Sequence, residues 1–351
     1  MELEVKTSSP YKIIIERGCT GRIGGRAGEI FSSKSKAAVI ADSNVFPLYA
    51  EKIAGCLEKS GFKTFLYKFP AGEENKRLAE ITKMYSFLAE NSFTRSDFIV
   101  AVGGGVTGDM AGFAAATYLR GIKFIQVPTS LLAQIDSSVG GKTGVDLPEG
   151  KNLVGAFHQP SLVLIDPDTL STLPELFISD GMGEAVKYGC IAGGGLFEKF
   201  ENGIVKEDIE NIIFNCVDIK RDIVEKDEFE SGCRMLLNFG HTFGHALEKI
   251  HGYRGLTHGA AVGIGMVMMA KCGEAAGLTE KGTAGRIQSV LAKYGLPVCD
   301  SADIEKIAET TASDKKNRGD RINLVMLKKI GESFIYTVGR KDVIKLLRAA
   351  Q

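Results

Sequence analysis

The sequence predicts an α/β N-terminal domain with a Rossmann-like, mostly parallel sheet, followed by a mostly α-helical domain. Three observations carry this. Short apolar runs alternate with amphipathic stretches up to about residue 165, and after Leu173-Pro174 helical periodicity replaces them. The 42 glycines also fall in short bursts between segments rather than in one flexible linker. Alternating β and α segments are the pattern of a doubly wound sheet. A chain of 351 residues exceeds one ordinary core, and we divide it into 1–175 and 176–351.

In chain order, strands are expected at 11–15, 36–41, 63–68, 97–102, 123–128 and 161–165, each a short run of β-branched, aromatic or small apolar residues. Helices fit between them at 49–60, 76–91 and 108–118. In the second domain, periodicity marks helices at 204–224, 241–250, 258–276 and 283–293, and extended patterns return at 321–327 and 333–338.

Charge excludes some function classes. Forty-three Lys and Arg balance 43 Asp and Glu, so bulk charge gives no footprint for nucleic acid or an anionic membrane. The most membrane-like window, 98–119, carries Asp109 and a glycine cluster, and reads as strand, loop and helix. Met1-Glu2-Leu3-Glu4 is acidic with no apolar run behind it, and the seven cysteines include no Cys-x-x-Cys pair. A cytoplasmic protein with reduced thiols is expected.

Gly103, Gly105 and Gly108 fit G-x-G-x-x-G where a strand passes into a helix, the context that gives this pattern meaning. Absent side chains let backbone N–H groups approach a pyrophosphate at a helix N-terminus. A tight turn without ligand is the plainer alternative. No acid follows about 20 residues on to hold a ribose. Gln126 and Thr129 occupy that region, and Asp42 is an alternative partner from another strand.

His241, His245, His251 and His258 fall in one short window, with His241 and His245 a helical turn apart. Imidazoles plus one carboxylate make an open catalytic zinc site. Glu184, an isolated acid among small residues, reads as the carboxylate at the head of an apolar helix. A solvated helix-start acid is the alternative. Lys142 and Lys151 read as lying in glycine loops. With Lys187 and Arg234 they form a set of cations suited to a small substrate bearing phosphate and carboxylate, although any one of them alone reads as solvated, and Lys220-Arg221 and Lys315-Lys316 are more ambiguous.

Longer blocks then resemble one family, the 3-dehydroquinate synthases among the sugar-phosphate cyclases. They are Pro70 to Lys76 (PAGEENK), Gly103 to Phe113 (GGGVTGDMAGF), Val127 to Thr143 (VPTSLLAQIDSSVGGKT), Gly150 to Phe157 (GKNLVGAF), Gly183 to Gly189 (GEAVKYG), Leu237 to Ala246 (LNFGHTFGHA) and His258-Gly259. The resemblance implies a metal site of Glu184, His241 and His258 for zinc or cobalt, with His245 on the substrate. It implies NAD held by Asp42 and Asn44, by Ala71, Gly72, Glu73, Glu74, Asn75 and Lys76, and by Gly105, Val106, Thr107, Gly108 and Asp109. Thr129, Ser130, Lys142, Lys151, Thr169, Leu170, Ser171 and Thr172 would complete that site. Substrate contacts would come from Asp136, Lys142, Lys151, Asn152, Lys187, Lys220, Arg234, Asn238 and His245. Lys316 is favoured over Lys315 as a further contact, and Arg120 would reach across a homodimer.

The implied reaction turns 3-deoxy-D-arabino-heptulosonate 7-phosphate into 3-dehydroquinate and phosphate. It proceeds by transient oxidation with NAD, β-elimination, re-reduction and aldol closure, in a cleft that shuts on substrate. Departures from the family pattern are mild: Ser130 for Thr, Gly183 for Ala, and Ala71 and Glu74-Asn75 in the 71–76 loop. Three rivals are a metal-dependent polyol dehydrogenase of the glycerol type, a non-catalytic sensor, and another sugar-phosphate cyclase. The cations argue against the first, and the complete set of reactive groups against the second.

Overall fold

The computed structural model describes residues 1–204, 208–312 and 320–350. They group into two compact units, one built from residues 1–173 with 220–229 and the other from the remainder. Lys315 and Lys316 lie outside the described residues.

The first unit holds strands β1 (Glu2–Val5), β2 (Tyr11–Ile15), β3 (Lys36–Asp42), β4 (Lys63–Phe69), β5 (Phe98–Gly103), β6 (Lys123–Pro128), β7 (Lys142–Leu147), β8 (Gly150–Phe157) and β9 (Leu162–Ile165). Its helices are α1 (Ile23–Gly28), α2 (Glu51–Lys59), α3 (Leu78–Glu90) and α4 (Gly105–Thr117). Seven strands form one sheet in the order β1-β2-β9-β6-β5-β3-β4, parallel except for the β1–β2 pair. Period-2 side-chain alternation builds two cores. Ala37, Val39 and Ala41 of β3 pack with Ile53 and Leu57 of α2, while Ala38 and Ile40 pack with Met84 of α3 and Met110 of α4. Both faces are covered, which is why the strands read as continuous apolar runs.

This topology creates a crevice. β3 passes to β4 on one side, whereas the next strand, β5, pairs with β3 on the other. Ligands in such sheets bind outside the carboxyl ends at that reversal. Asp42 ends β3 and Gly103 ends β5, and Thr107 Oγ1 donates to Asp42 Oδ2 at 3.2 Å.

The glycine-rich stretch around Lys142 and Lys151, expected as loops, is instead the antiparallel hairpin β7–β8. Gly144 and Gly155 sit opposite each other there. A Cβ on Gly155 would stand 2.2 Å from the Thr143 carbonyl oxygen, so these glycines permit close strand approach rather than a turn.

The second unit contains α5 (Glu175–Ile191), α6 (Leu196–Asn202), most of α7 (Ile209–Lys226), α8 (His241–Ile250), α9 (His258–Ala275), α10 (Thr283–Lys293), α11 (Ile304–Ala312) and α12 (Val343–Ala349). β10 (Arg321–Lys329) and β11 (Glu332–Gly339) form its hairpin. The short elements β1, α1, α6, α11 and α12 have no counterpart among the sequence expectations. No helix among the described residues is long and apolar enough to cross a membrane.

α9 is apolar on nearly all sides, as a central helix must be. Its glycines bring neighbouring backbones unusually near. A Cβ on Gly259 would meet the Asp180 carbonyl oxygen at 1.9 Å, and one on Gly183 the Gly259 carbonyl oxygen at 2.4 Å. Gly259→Ala is therefore expected to destabilise the protein by at least about 1–3 kcal/mol, the usual cost of overpacking. A denaturation midpoint equal to that of the wild type would show that this crossing tolerates a methyl group.

Candidate active site

The α5–α9 crossing fixes the first cluster. Glu184 lies in the middle of α5, not at its head as the sequence suggested, and is fully buried. Dipole stabilisation at a helix start therefore does not account for it. His258 opens α9 and His241 opens α8. Glu184 Oε1 stands 3.2 Å from His241 Nε2 and 3.3 Å from His258 Nε2. Glu184 Oε2 pairs with Lys187, one turn on and buried with it. His241 Nδ1 faces the Phe239 carbonyl at 3.2 Å, an orientation that turns Nε2 toward Glu184.

Electrostatics follow from this geometry. Burial pushes the Glu184 carboxyl up, but Lys187 and His241 outweigh it and hold the group well below the usual carboxylate range. Burial pulls His241 below its ordinary value. Burial also works against the charged form of His258, yet the carboxylates of Glu184 and Glu248 raise it to about 10.

These groups suit a divalent ion. Neither oxygen of the buried Glu184 carboxylate has a well-formed hydrogen bond among the described residues. Ligands about 2.0–2.1 Å from a tetrahedral ion lie about 3.3 Å apart, the spacing seen between Oε1 and the two Nε2 atoms. His245 stacks on His258 at 5.9 Å between ring centres. His251, in the same sequence window, instead meets Asp300 Oδ2 at 2.9 Å.

In the same unit, Arg234 is buried in the turn Cys233–Asn238, and Asn238 Nδ2 donates to Glu230 Oε1 at 3.1 Å. Three acids escaped the sequence reading: Glu230, Glu248, and Asp180, whose Oδ1 accepts the Gly259 N–H at 2.6 Å. The available signal for Glu248 was spacing, because it lies seven residues after His241 and three after His245, on one helical face.

In the first unit, the crevice gathers a second cluster. Gly104 precedes the first turn of α4, and the Thr129 N–H donates to the Gly103 carbonyl at 2.9 Å. A Cβ on Gly105 would come within 3.3 Å of Ser137 Oγ, and one on Gly108 within 2.7 Å of Gln126 Oε1. Val106 is half-buried here. Asp42 Oδ1 accepts the backbone N–H groups of Asn44 and Val45. Ser130 Oγ accepts from the Ala133 N–H.

The 71–76 loop turns at Gly72, where φ is +110°, with Glu73 and Glu74 exposed. The Ala71 N–H donates to Ser43 Oγ, and Asn75 Nδ2 donates to the Ala71 carbonyl. Lys76, buried, reaches Asp109 Oδ2 and Asn152 Oδ1, both at 2.6 Å. Asn152 has φ +54° and donates its N–H to Asp146 Oδ1. Lys151 Nζ lies 3.9 Å from Glu73 Oε1.

Lys220 pairs with Asp136, also donating to its carbonyl at 2.7 Å. Lys142 begins β7, exposed, and Arg120 is exposed with φ +67°. Thr169 Oγ1 accepts from Gln134 and donates to the Asp166 carbonyl, so its hydroxyl is engaged internally. Half-buried Leu170 follows, Ser171 Oγ donates to Asp168, and Thr172 Oγ1 bonds Tyr49.

Comparison with known proteins adds to this geometry. Residues 66–180 match the family described as 3-dehydroquinate synthase N-terminal, and residues 181–317 match 3-dehydroquinate synthase C-terminal. A 3-dehydroquinate synthase of Clostridium acetobutylicum is 48% identical over 353 residues, covering 99% of each chain. Among solved structures, 2-deoxy-scyllo-inosose synthase complexed with carbaglucose-6-phosphate, NAD+ and Co2+ superposes with a TM-score of 0.87. It is 26% identical and covers 99% of each chain. The 2-epi-5-epi-valiolone synthase of Streptomyces hygroscopicus subsp. jinggangensis, with NAD+ and Zn2+ bound, gives a TM-score of 0.85. Its identity is 25%, over 97% of this chain and 96% of its own.

Proposed function

The chain belongs to the 3-dehydroquinate synthase family, and on that premise we propose that it is an NAD- and metal-dependent carbon–oxygen lyase. Its substrate is 3-deoxy-D-arabino-heptulosonate 7-phosphate, and its products are 3-dehydroquinate and phosphate. The observation that carries the reading is Glu184 Oε1 facing two imidazole Nε2 atoms at coordination spacing. Glu184, His241 and His258 hold zinc or cobalt, the metals bound in the two solved relatives. The β3–β5 crevice and the 71–76 loop hold NAD. The metal supplies Lewis acidity at the alcohol being oxidised, and NAD takes and returns a hydride.

The protein's own groups bind and orient. Lys142, Lys151, Asn152 and His245 suit the phosphate, and Lys187, beside Glu184, suits a substrate oxygen near the metal. Lys220, Arg234 and Asn238 suit the carboxylate, and Asp136 is a further substrate contact. Lys316 and, from a partner subunit of a homodimer, Arg120 complete the set in a cytoplasmic enzyme. Such positioning supports effective molarities of roughly 10⁵–10⁸ M for the intramolecular steps.

The test supplies the heptulosonate phosphate, zinc and substoichiometric NAD to purified protein. Phosphate and 3-dehydroquinate are expected in equal amounts over many turnovers, without accumulating NADH. Steady NADH formation from a simple polyol, with no phosphate release, would return the chain to the dehydrogenase alternative.

Metal binding is expected to release a proton. His258 keeps its proton up to about 10 in the metal-free protein, and coordination needs neutral imidazole. Below that value the proton competes, so affinity falls by up to about tenfold per pH unit as pH drops. Zinc titration calorimetry at pH 8, in two buffers of different ionisation enthalpy, measures the release. Identical heats in both buffers would contradict it.

A further inference from the structure

We propose that Glu248 is a positioning residue for the metal centre, accepting a hydrogen bond from His258 Nδ1–H and so aiming His258 Nε2 at the ion. The inference rests on the metal centre assigned above. Glu248 is a buried carboxylate that the reaction chemistry does not use, only 4% exposed. A buried acid is costly unless partnered, and His258 Nδ1 faces its Oε2 at 3.5 Å.

The opposite ring nitrogen of His258 stands 3.3 Å from Glu184 Oε1, so carboxylates address the imidazole from both ends. His258 needs this more than its fellow ligand does. Its side chain is 34% exposed against 12% for His241, so packing restrains its ring less. His241 is oriented instead by the Phe239 backbone carbonyl. A carboxylate behind a ligating imidazole fixes its tautomer and raises its basicity. α8 thus carries one ligand, His241, and the residue that steers another, Glu248, on the same face.

The same atoms permit a competing arrangement. His245, Glu248 and His258 each offer a donor atom, all within 4.8 Å of one another, which would suit a second ion. With His258 Nε2 committed to the first ion, such a site would require the ring to bridge through both nitrogens, having lost both protons.

The experiment measures zinc affinity by competition with a chromophoric chelator, together with zinc stoichiometry and the visible spectrum of the cobalt-loaded protein. The chains compared are wild type, Glu248→Ala, Glu248→Gln, His245→Ala and Glu184→Gln. One ion per chain is expected in the wild type. Glu248→Ala should weaken zinc binding about 10–100-fold and shift the cobalt spectrum. Glu248→Gln, which keeps an acceptor oxygen without the charge, should recover part of that loss. If the Ala chain does not fold, Glu248→Leu takes its place, with bulk but no acceptor.

Zinc affinity within twofold of wild type in the acceptor-free variant would overturn the proposal while leaving the metal centre standing. Two ions per wild-type chain, one of them lost in both Glu248→Ala and His245→Ala, would also overturn it by making Glu248 a ligand. A wild type that binds no ion, like Glu184→Gln, would remove the metal centre itself.

Discussion

Replacing Glu184 with Gln is expected to abolish metal binding and turnover together, and to cost the metal-free protein about 3–5 kcal/mol of stability. The two losses have separate causes. Metal binding fails because the amide removes the one anionic donor beside two neutral ones. Stability falls because Lys187 is left buried, 1% exposed on its side chain, without the carboxylate that compensates it. His258 softens the effect only for itself: without Glu184 its proton is held less firmly, and it can discharge. Lys187→Met should behave differently. Glu184 would still face His258, which carries its proton up to about 10, so the carboxylate keeps a cation and the stability loss is smaller. Urea unfolding of both variants after chelation, with zinc analysis of the untreated proteins, checks the order. Normal zinc content and turnover in Glu184→Gln would remove the residue from the metal centre, and a larger stability loss in Lys187→Met would reverse the electrostatic argument.

What could be read from the sequence follows from which forces are local. The parallel sheet was legible because strands buried on both faces must be apolar throughout, and the runs ending at Ala41, Val102 and Pro128 are. The β7–β8 hairpin was not, because Gly144 and Gly155 serve close strand approach, and glycine written in a row looks the same in a loop. The kinds of group around Glu184 were visible as a window of histidines and one solitary acid. Which imidazoles share a point was not a local matter: His251 lies ten residues after His241 yet bonds Asp300, while His258 is brought back by the crossing at Gly183 and Gly259. Glu248 illustrates the same limit. Its spacing from His241 and His245 is written in the sequence, but only the helix packing buries it.

Lys76→Met is expected to cost about 3 kcal/mol at pH 8, with a penalty that shrinks as the solution is acidified. Lys76 Nζ binds both Asp109 Oδ2 and Asn152 Oδ1, joining the 71–76 loop, helix α4 and the β7–β8 hairpin within one unit. Burial already raises the Asp109 carboxyl above its ordinary value, and Lys76 is the main influence opposing that rise. Without the lysine the carboxyl must rise further. A group whose value is raised by folding stabilises the fold at pH below its unfolded value, near 3.8, and that contribution disappears as pH rises through the folded value. The variant's deficit relative to wild type is therefore largest in alkali and smallest in acid.

The family resemblance makes Lys76 an NAD contact, whereas its two 2.6 Å bonds describe a strut between protein groups. The two roles separate experimentally. As a strut, the lysine sets stability and the pose of Asn152, so Lys76→Met should raise the KM for the sugar phosphate and lose stability with the stated pH dependence. As a direct cation for NAD, its loss should weaken NAD binding with little change in unfolding. Urea midpoints from pH 5 to pH 9, set beside NAD affinity and substrate KM, distinguish them. A pH-independent deficit would mean that Asp109 finds another cation when Lys76 is gone.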